Sequence, residues 1–435
     1  MSDSGPKNTR RTVLQATLAP IAMAGGCALP RSEATPVEVE RLDADLRAYI
    51  DFGAKNAGDA GDDRSGAWIE SRLQALGYAP NRQPVAALAI EASNPRLILG
   101  GAQAPVLVHR TGPSGAFDIR EGGLSVWGAG APAGANPGDI VVAHLPRQRW
   151  SSERQGEIRA LTQRAFEARA GALVLVTHGP SGEALALNRT LESAAHGPIA
   201  LLAPSHWPAL AAANAQRARL ELRARETPRS AFNVIGRLDR GAARWLVVST
   251  PRSGWGVCAG ERGPGVALFL ALAAWLPRIS ADNLLFVSAS SHEFENAGAE
   301  AFLEDGAPAP QQTSLWLHLG AGIAARDWHE AGQRLLPLPS ADPQRFLMAS
   351  PALVEVSQRA FAGISGLEMA YSTEEGASGE LATIVAAGYP RLAGIFGAHR
   401  YHHAAGDGLR CVRPEHTAVV LERLKAALTL WLNQA

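Results

Sequence analysis

From residue 232 to the C-terminus, apolar positions follow two alternating patterns. Apolar runs of strand length (Phe232–Leu238, Trp245–Ser249, Leu284–Val287, Leu315–Leu319, Leu392–Phe396) are separated by stretches with helical spacing. Those stretches are Gly265–Leu276, Ala297–Glu304, Ala352–Ala362, Glu380–Ala387 and Glu415–Leu432. The runs are apolar on both parities, as in strands buried on both faces. The pattern predicts an α/β fold, with a mostly parallel central sheet and helices on both faces. Gly265–Leu276 is apolar nearly all round and is predicted to be buried.

The first half of the chain is less regular. Val37–Phe52 and Asp62–Leu76 have helical spacing, the second ending at Gly77 as a helix C-cap does. Short strand-like pieces follow at Leu97–Leu99 and Val106–Val108, and the Gly/Pro/Ala-rich passage Gly128–Gly138 reads as a loop or boundary. Asp139–Ala143, Glu157–Ala170, Gly171–Val176, Ile199–Leu202 and Trp207–Ala213 then form a strand, helix, strand, strand, helix unit.

The chain has 435 residues, 46% hydrophobic and 19% charged, with Lys+Arg 41 balancing Asp+Glu 41. That balance gives no electrostatic footprint for nucleic acid or an anionic membrane. No apolar run after residue 30 has spanning length. Thr9-Arg10-Arg11-Thr12-Val13-Leu14-Gln15 looks like a twin-arginine export motif, followed by a mild apolar stretch to Ala24. Ala24-Gly25-Gly26-Cys27 resembles a lipoprotein cleavage box. Residues 1–36 therefore read as signal and linker, and the protein is expected in the periplasm, touching a membrane only through a lipid on Cys27. Alternatively, Cys27 leaves with the signal. Cys258 and Cys411 read as buried thiols, because two cysteines do not make a disulfide framework.

His292-Glu293 follows the strand Leu284–Val287, at the sheet edge where α/β proteins collect ligands. A serine hydrolase is excluded by the lack of a G-x-S-x-G elbow; Gly376-Ala377-Ser378-Gly379 comes nearest and precedes a helix.

Asn233-Val234-Ile235-Gly236-Arg237-Leu238, Trp245-Leu246-Val247-Val248, Ala259-Gly260-Glu261-Arg262-Gly263-Pro264-Gly265-Val266-Ala267, Leu285–Glu304 and Tyr401-His402-His403-Ala404-Ala405-Gly406-Asp407 stand in an order that resembles the zinc aminopeptidase family of aminopeptidase Y and bacterial leucyl aminopeptidase. The unit containing Ala168-Arg169-Ala170-Gly171-Ala172-Leu173-Val174 is similar to a protease-associated domain. The resemblance implies 37–104 and 229–435 as the peptidase-like domain and 105–228 as an insert. It also implies two zinc ions on five side chains, with a neighbouring glutamate as base. Zinc needs anionic or imidazole ligands and an open position for water.

By that resemblance the first His-x-Asp falls on Thr250-Pro251-Arg252, and the bridging Asp on Glu261. The Glu-Glu pair falls on His292-Glu293, the next Asp on Gly320, and the final His on His403, with Asp407 four residues on. One metal keeps its set, Glu261, Glu293 and His403, while the other loses both private ligands, at Thr250 and Gly320.

Two functional readings follow. In the first the site no longer catalyses, and the fold serves as a binding or scaffolding module for a peptide or small ligand. Arg252, Ser378 and Asp407 then belong to the pocket, and Glu261, Glu293 and His403 form a polar network. In the alternative, one zinc sits on Glu261, Glu293 and His403, with His292 as general base of a hydrolase or cyclase-like enzyme. His292 is also a candidate ligand there, and His318 a weaker one. Ser378 reads equally as a helix N-cap.

Overall fold

The computed structural model describes residues 35–112, 119–128, 134–146, 155–191, 197–332 and 334–434. The Arg10-Arg11 motif and Cys27 lie outside the described residues. Helix α1 (Pro36–Asp51) starts with a capping box, in which the Thr35 hydroxyl accepts from the Glu38 amide and Pro36 opens the first turn. Helix α2 (Ala60–Ala75) follows, and then β1 (Ala79–Ala92).

β1 pairs antiparallel with β9 (Ala224–Leu238) along its whole length, from Ala79 opposite Arg237 to Ala92 opposite Ala224. Only the half of β9 from Phe232 on is visible in the sequence, because Arg225–Ser230 are mostly polar and all exposed or half-buried. Between the far ends of this ribbon the chain makes a closed seven-stranded barrel. Its strands are β2 (Arg96–Leu99), β3 (Ala102–Arg110), β4 (Ile119–Trp127), β5 (Ile140–His144), β6 (Ala172–Val176), β7 (Ile199–Leu202) and β8 (Arg217–Glu221). Helices α3 (Gln155–Glu167) and α4 (Trp207–Ala212) accompany it. Alternate residues of β5 and β6 feed two cores, Ile140, Val142 and Val174 in one, Val141, Leu173 and Leu175 in the other.

The main sheet has eight strands. Its parallel centre, β11 (Asn283–Ala289), β10 (Trp245–Pro251), β12 (Thr313–Leu319) and β17 (Leu392–Gly397), is flanked by antiparallel β9 on one side and by β15 (Arg345–Ala349) on the other. β16 (Ala370–Ser372) forms one edge, and β13 (Arg326–Ala331) with β14 (Arg334–Ala341) forms a separate hairpin. The apolar runs of these strands are explained by their two buried faces. Leu246, Val248, Leu284, Phe286, Leu315 and Leu317 pack with α1, α5 (Ala259–Trp275), α7 (Pro351–Ala360) and α9 (Pro414–Leu432). Val247, Leu285, Val287 and Trp316 pack with α6 (Ala297–Glu304) and α8 (Glu380–Ala386). The predicted α/β architecture is the one observed.

Helix α5 is buried as expected, but it begins six residues before the expected Gly265. The reason is tertiary. Asp407, remote in sequence, accepts the amides of Gly260 (2.7 Å) and Glu261 (3.0 Å), supplying the cap that local sequence lacks. Gly265 lets the helix approach the sheet, since a Cβ there would lie 3.0 Å from Thr250 Oγ1. Cys258 and Cys411 are free, buried thiols. Among the described residues no helix is long and apolar enough to cross a membrane.

Candidate functional site

A cavity of about 480 Å³ opens at the carboxyl ends of the parallel strands. Pro251 closes β10, Gly320 follows β12, and Phe396 and Gly397 end β17 beside it. Helix α8 contributes Glu380, the α6 entry contributes Glu295 and Asn296, and the inserted segment contributes Arg159 and Asn188. Two of its lining residues, Glu295 and Asn296, lie in the left-handed region, as do Ser291 next to His292 and His403 beside Glu261. Such conformations persist where surrounding structure imposes them, and they concentrate at ligand sites.

Glu261, in the first turn of α5, is fully buried. Its Oε1 lies 2.8 Å from Arg262 Nη2 and 3.4 Å from His403 Nε2. Burial opposes its ionisation, but the Arg262 guanidinium and the imidazoles of His403 and His402 together hold the carboxyl well below its usual range. Glu261, His402 and His403 each present a ligand atom within 4.8 Å of the others, so this trio could hold a metal ion. His403 Nδ1 lies 3.3 Å from the Ala186 carbonyl, an arrangement that turns Nε2 toward Glu261. The Ala186 amide in turn donates to the His403 carbonyl, so the inserted segment clamps the histidine loop.

Glu293, which the sequence grouped with Glu261 and His403, is not part of that trio and is held instead by Ser253 and Ala57. Its Oε2 accepts from Ser253 Oγ (2.6 Å) and its Oε1 from the Ala57 amide (3.0 Å). Burial pushes its pKa up to about 7 despite the Ser253 bond. His292 lines the cavity, with Nδ1 3.2 Å from Glu380 Oε1. Burial, then nearby Arg262, pushes His292 well below its usual value, and burial raises Glu380. Both shifts favour uncharged forms. His318 also reaches the cavity, held by Ser249 Oγ at 2.9 Å and pushed down to about 4 by burial.

The remaining predicted pocket residues divide. Ser378 lines the cavity, whereas the N-cap of α8 is Gly379. Arg252 is a buried strut: Nε lies 3.0 Å from Asp62 Oδ1, Nη1 donates to Ser288 O and Nη2 to Phe232 O. Asp407 is taken up by the α5 amides and by His399 Nε2 at 3.2 Å. Neither faces the cavity.

The two positions that lack metal ligands are closed as well. Thr250 Oγ1 donates to the Leu319 carbonyl (2.8 Å). A Cβ on Gly320 would meet Phe396 Cβ at 2.9 Å and the Ile395 carbonyl at 3.1 Å, so a carboxylate there has no room. The residues present do not fit a two-zinc centre.

Sequence reasoning missed the roles of Arg262, His402 and Asp62. A signal existed for the first. Glu261 and Arg262 are the only charged residues in the otherwise apolar α5, and two adjacent charges there call for buried partners.

The chain is similar in structure to an aminopeptidase from Aneurinibacillus sp. strain AM-1 (15% identity, 90% of this chain and 93% of that one, TM-score 0.66). It is similar to a zinc aminopeptidase from Bacillus subtilis (14%, 90% and 95%, TM-score 0.69). It is also similar to a peptidase M28 precursor from Shewanella amazonensis (16%, 92% and 93%, TM-score 0.68). No protein-family model matches the sequence, and no curated protein is similar to it in sequence. The fold is therefore of the zinc-exopeptidase type.

Proposed function

We propose that the protein is a zinc-exopeptidase fold that binds a peptide or small ligand in its cavity and does not carry out two-metal hydrolysis. One observation carries this reading. The Arg262 guanidinium sits 2.8 Å from Glu261 Oε1 and lines the cavity, placing a fixed cation beside the carboxylate that a metal would use. A second cation on that oxygen would be repelled. The barrel, by its resemblance to a protease-associated domain, serves as a covering module that holds the site loops. The Arg10-Arg11 motif and Cys27 support export and a lipid anchor at the membrane surface.

The trio Glu261, His402 and His403 favours a second reading, a single zinc with His292 as the nearby base. The trio fits one zinc in ligand type and number, and Glu261 Oε2 is buried without a hydrogen-bond partner. Such a metal would supply Lewis-acid activation. Elemental mass spectrometry of the purified chain, paired with a leucyl-p-nitroanilide assay with and without chelator, separates the two. The binding reading expects no chelator-sensitive turnover. About one zinc per chain, lost in His403→Ala, together with turnover that a chelator abolishes, would overturn it.

A further inference from the structure

We propose that Arg262 anchors a carboxylate of the ligand, so that a peptide C-terminus or a small organic acid enters this cavity acid end first. The inference rests on the binding reading above and specifies its ligand class. Arg262 is 1% exposed, yet it lines the cavity. Its Nε donates to the Ser253 carbonyl at 3.0 Å, while neither Nη1 nor Nη2 has a hydrogen-bond acceptor among the described residues. Nη2 is oriented by the ion pair with Glu261, and Nη1 is left over.

A buried guanidinium donor without an acceptor is costly, and a planar fork of donors matches a carboxylate better than any other common group. The wall carries small or apolar residues, Gly320, Ala321, Ala382 and Phe396, beside the imidazoles of His292, His318 and His402, which leaves space for an apolar body behind the acid. The carboxyl groups facing the cavity are Glu380 within and Glu295 and Glu300 on α6 and its entry. Glu295 lies 3.3 Å from Arg159. The acidic residues of the α6 end would repel a second carboxylate, so a ligand with a single acid is favoured over a diacid. The cavity volume, within the range of about 300–1,000 Å³ that suits small-molecule ligands, accommodates a dipeptide-sized acid.

The test is calorimetric titration of the full chain with N-acetyl-dileucine, its C-terminal amide, and 4-methylpentanoate. The acid is expected to bind at least tenfold tighter than the amide. Arg262→Gln should abolish that difference and Arg262→Lys should keep part of it. Should Arg262→Gln fail to fold because Glu261 is left unpaired, the Glu261→Gln/Arg262→Gln pair replaces it, with folding checked by circular dichroism. Tighter binding of 4-methylpentanoate than of the peptide acid points to a small organic acid as the source, and the reverse to a peptide terminus; either supports the anchor. Equal binding of acid and amide, or no binding of any acid, overturns the inference while leaving the absence of metal-dependent turnover untouched. Chelator-sensitive hydrolysis overturns the proposed function instead.

Discussion

The Arg252–Asp62 pair offers the sharpest test of how the buried core beside β10 is held. Both side chains are fully buried, with Nε 3.0 Å from Oδ1. Arg252 also satisfies the carbonyls of Ser288 (2.9 Å) and Phe232 (2.6 Å), and its guanidinium lies 4.8 Å from the Phe232 ring centre. Asp62 accepts from Ser290 Oγ (2.6 Å) and the Gly58 amide (3.0 Å). Arg252→Met keeps most of the stem but leaves a buried carboxylate without its cation and two carbonyls without donors. Removing one partner of a buried pair costs about 3–5 kcal/mol. Asp62 has an escape, because burial already raises its carboxyl above the usual value even with Arg252 present. Once Arg252 is gone, a proton can replace the cation. The loss should therefore be smallest in mildly acidic solution and grow with pH by up to about 1.4 kcal/mol per unit. Adding Asp62→Asn to Arg252→Met should recover about 2 kcal/mol at pH 8, the penalty of the stranded charge. Urea unfolding followed by tryptophan fluorescence at pH 6 and pH 8 measures all three variants. A loss below about 1 kcal/mol for Arg252→Met, unchanged between the two pH values, would refute the reasoning and return Arg252 to the ligand-binding role its sequence position suggested.

Three further outcomes are expected. Glu293, raised from an ordinary 4.5 to about 7 by burial, binds its proton more tightly when folded, so its contribution to stability is complete below pH 4.5 and is lost as pH rises through 7. Glu293→Gln should flatten the stability profile over that window by about 3 kcal/mol at most, measured by denaturation midpoints; an unchanged slope would show that Glu293 is ionised in the folded state. Gly320→Asp should cost about 1–3 kcal/mol through the clash with Phe396 and should gain no zinc by elemental analysis, whereas a stable, metal-loaded variant would show that the position is open. Asp407→Ala removes the acceptor of two α5 amides and the partner of His399, and should lower stability by about 1.5–3 kcal/mol on thermal unfolding; a loss under 0.5 kcal/mol would mean the α5 terminus needs no cap.

The sequence by itself determined the α/β class, because strands buried on both faces need apolar residues on both parities, and β10, β11 and β12 carry such runs at Leu246–Val248, Leu284–Val287 and Leu315–Leu317. It also determined the place of the chemistry. His292, Glu261 and His403 follow strand ends or open helices, and those ends converge on one cavity edge in any parallel sheet. Which groups touch there was decided by the tertiary structure. Glu293 sits one residue from His292 but turns to Ser253 and Ala57, because consecutive side chains on a bent loop point different ways. Arg252 reads as a pocket residue in one dimension and is a strut in three, since its partner Asp62 lies 190 residues away. Asp407 reads as a pocket residue and is a helix cap. Arg262 is the reverse case, a residue hidden in an apolar helix that becomes a buried cation of the cavity. Spacing fixes which residues share an element, whereas the partner that a buried charge must find depends on how the elements pack.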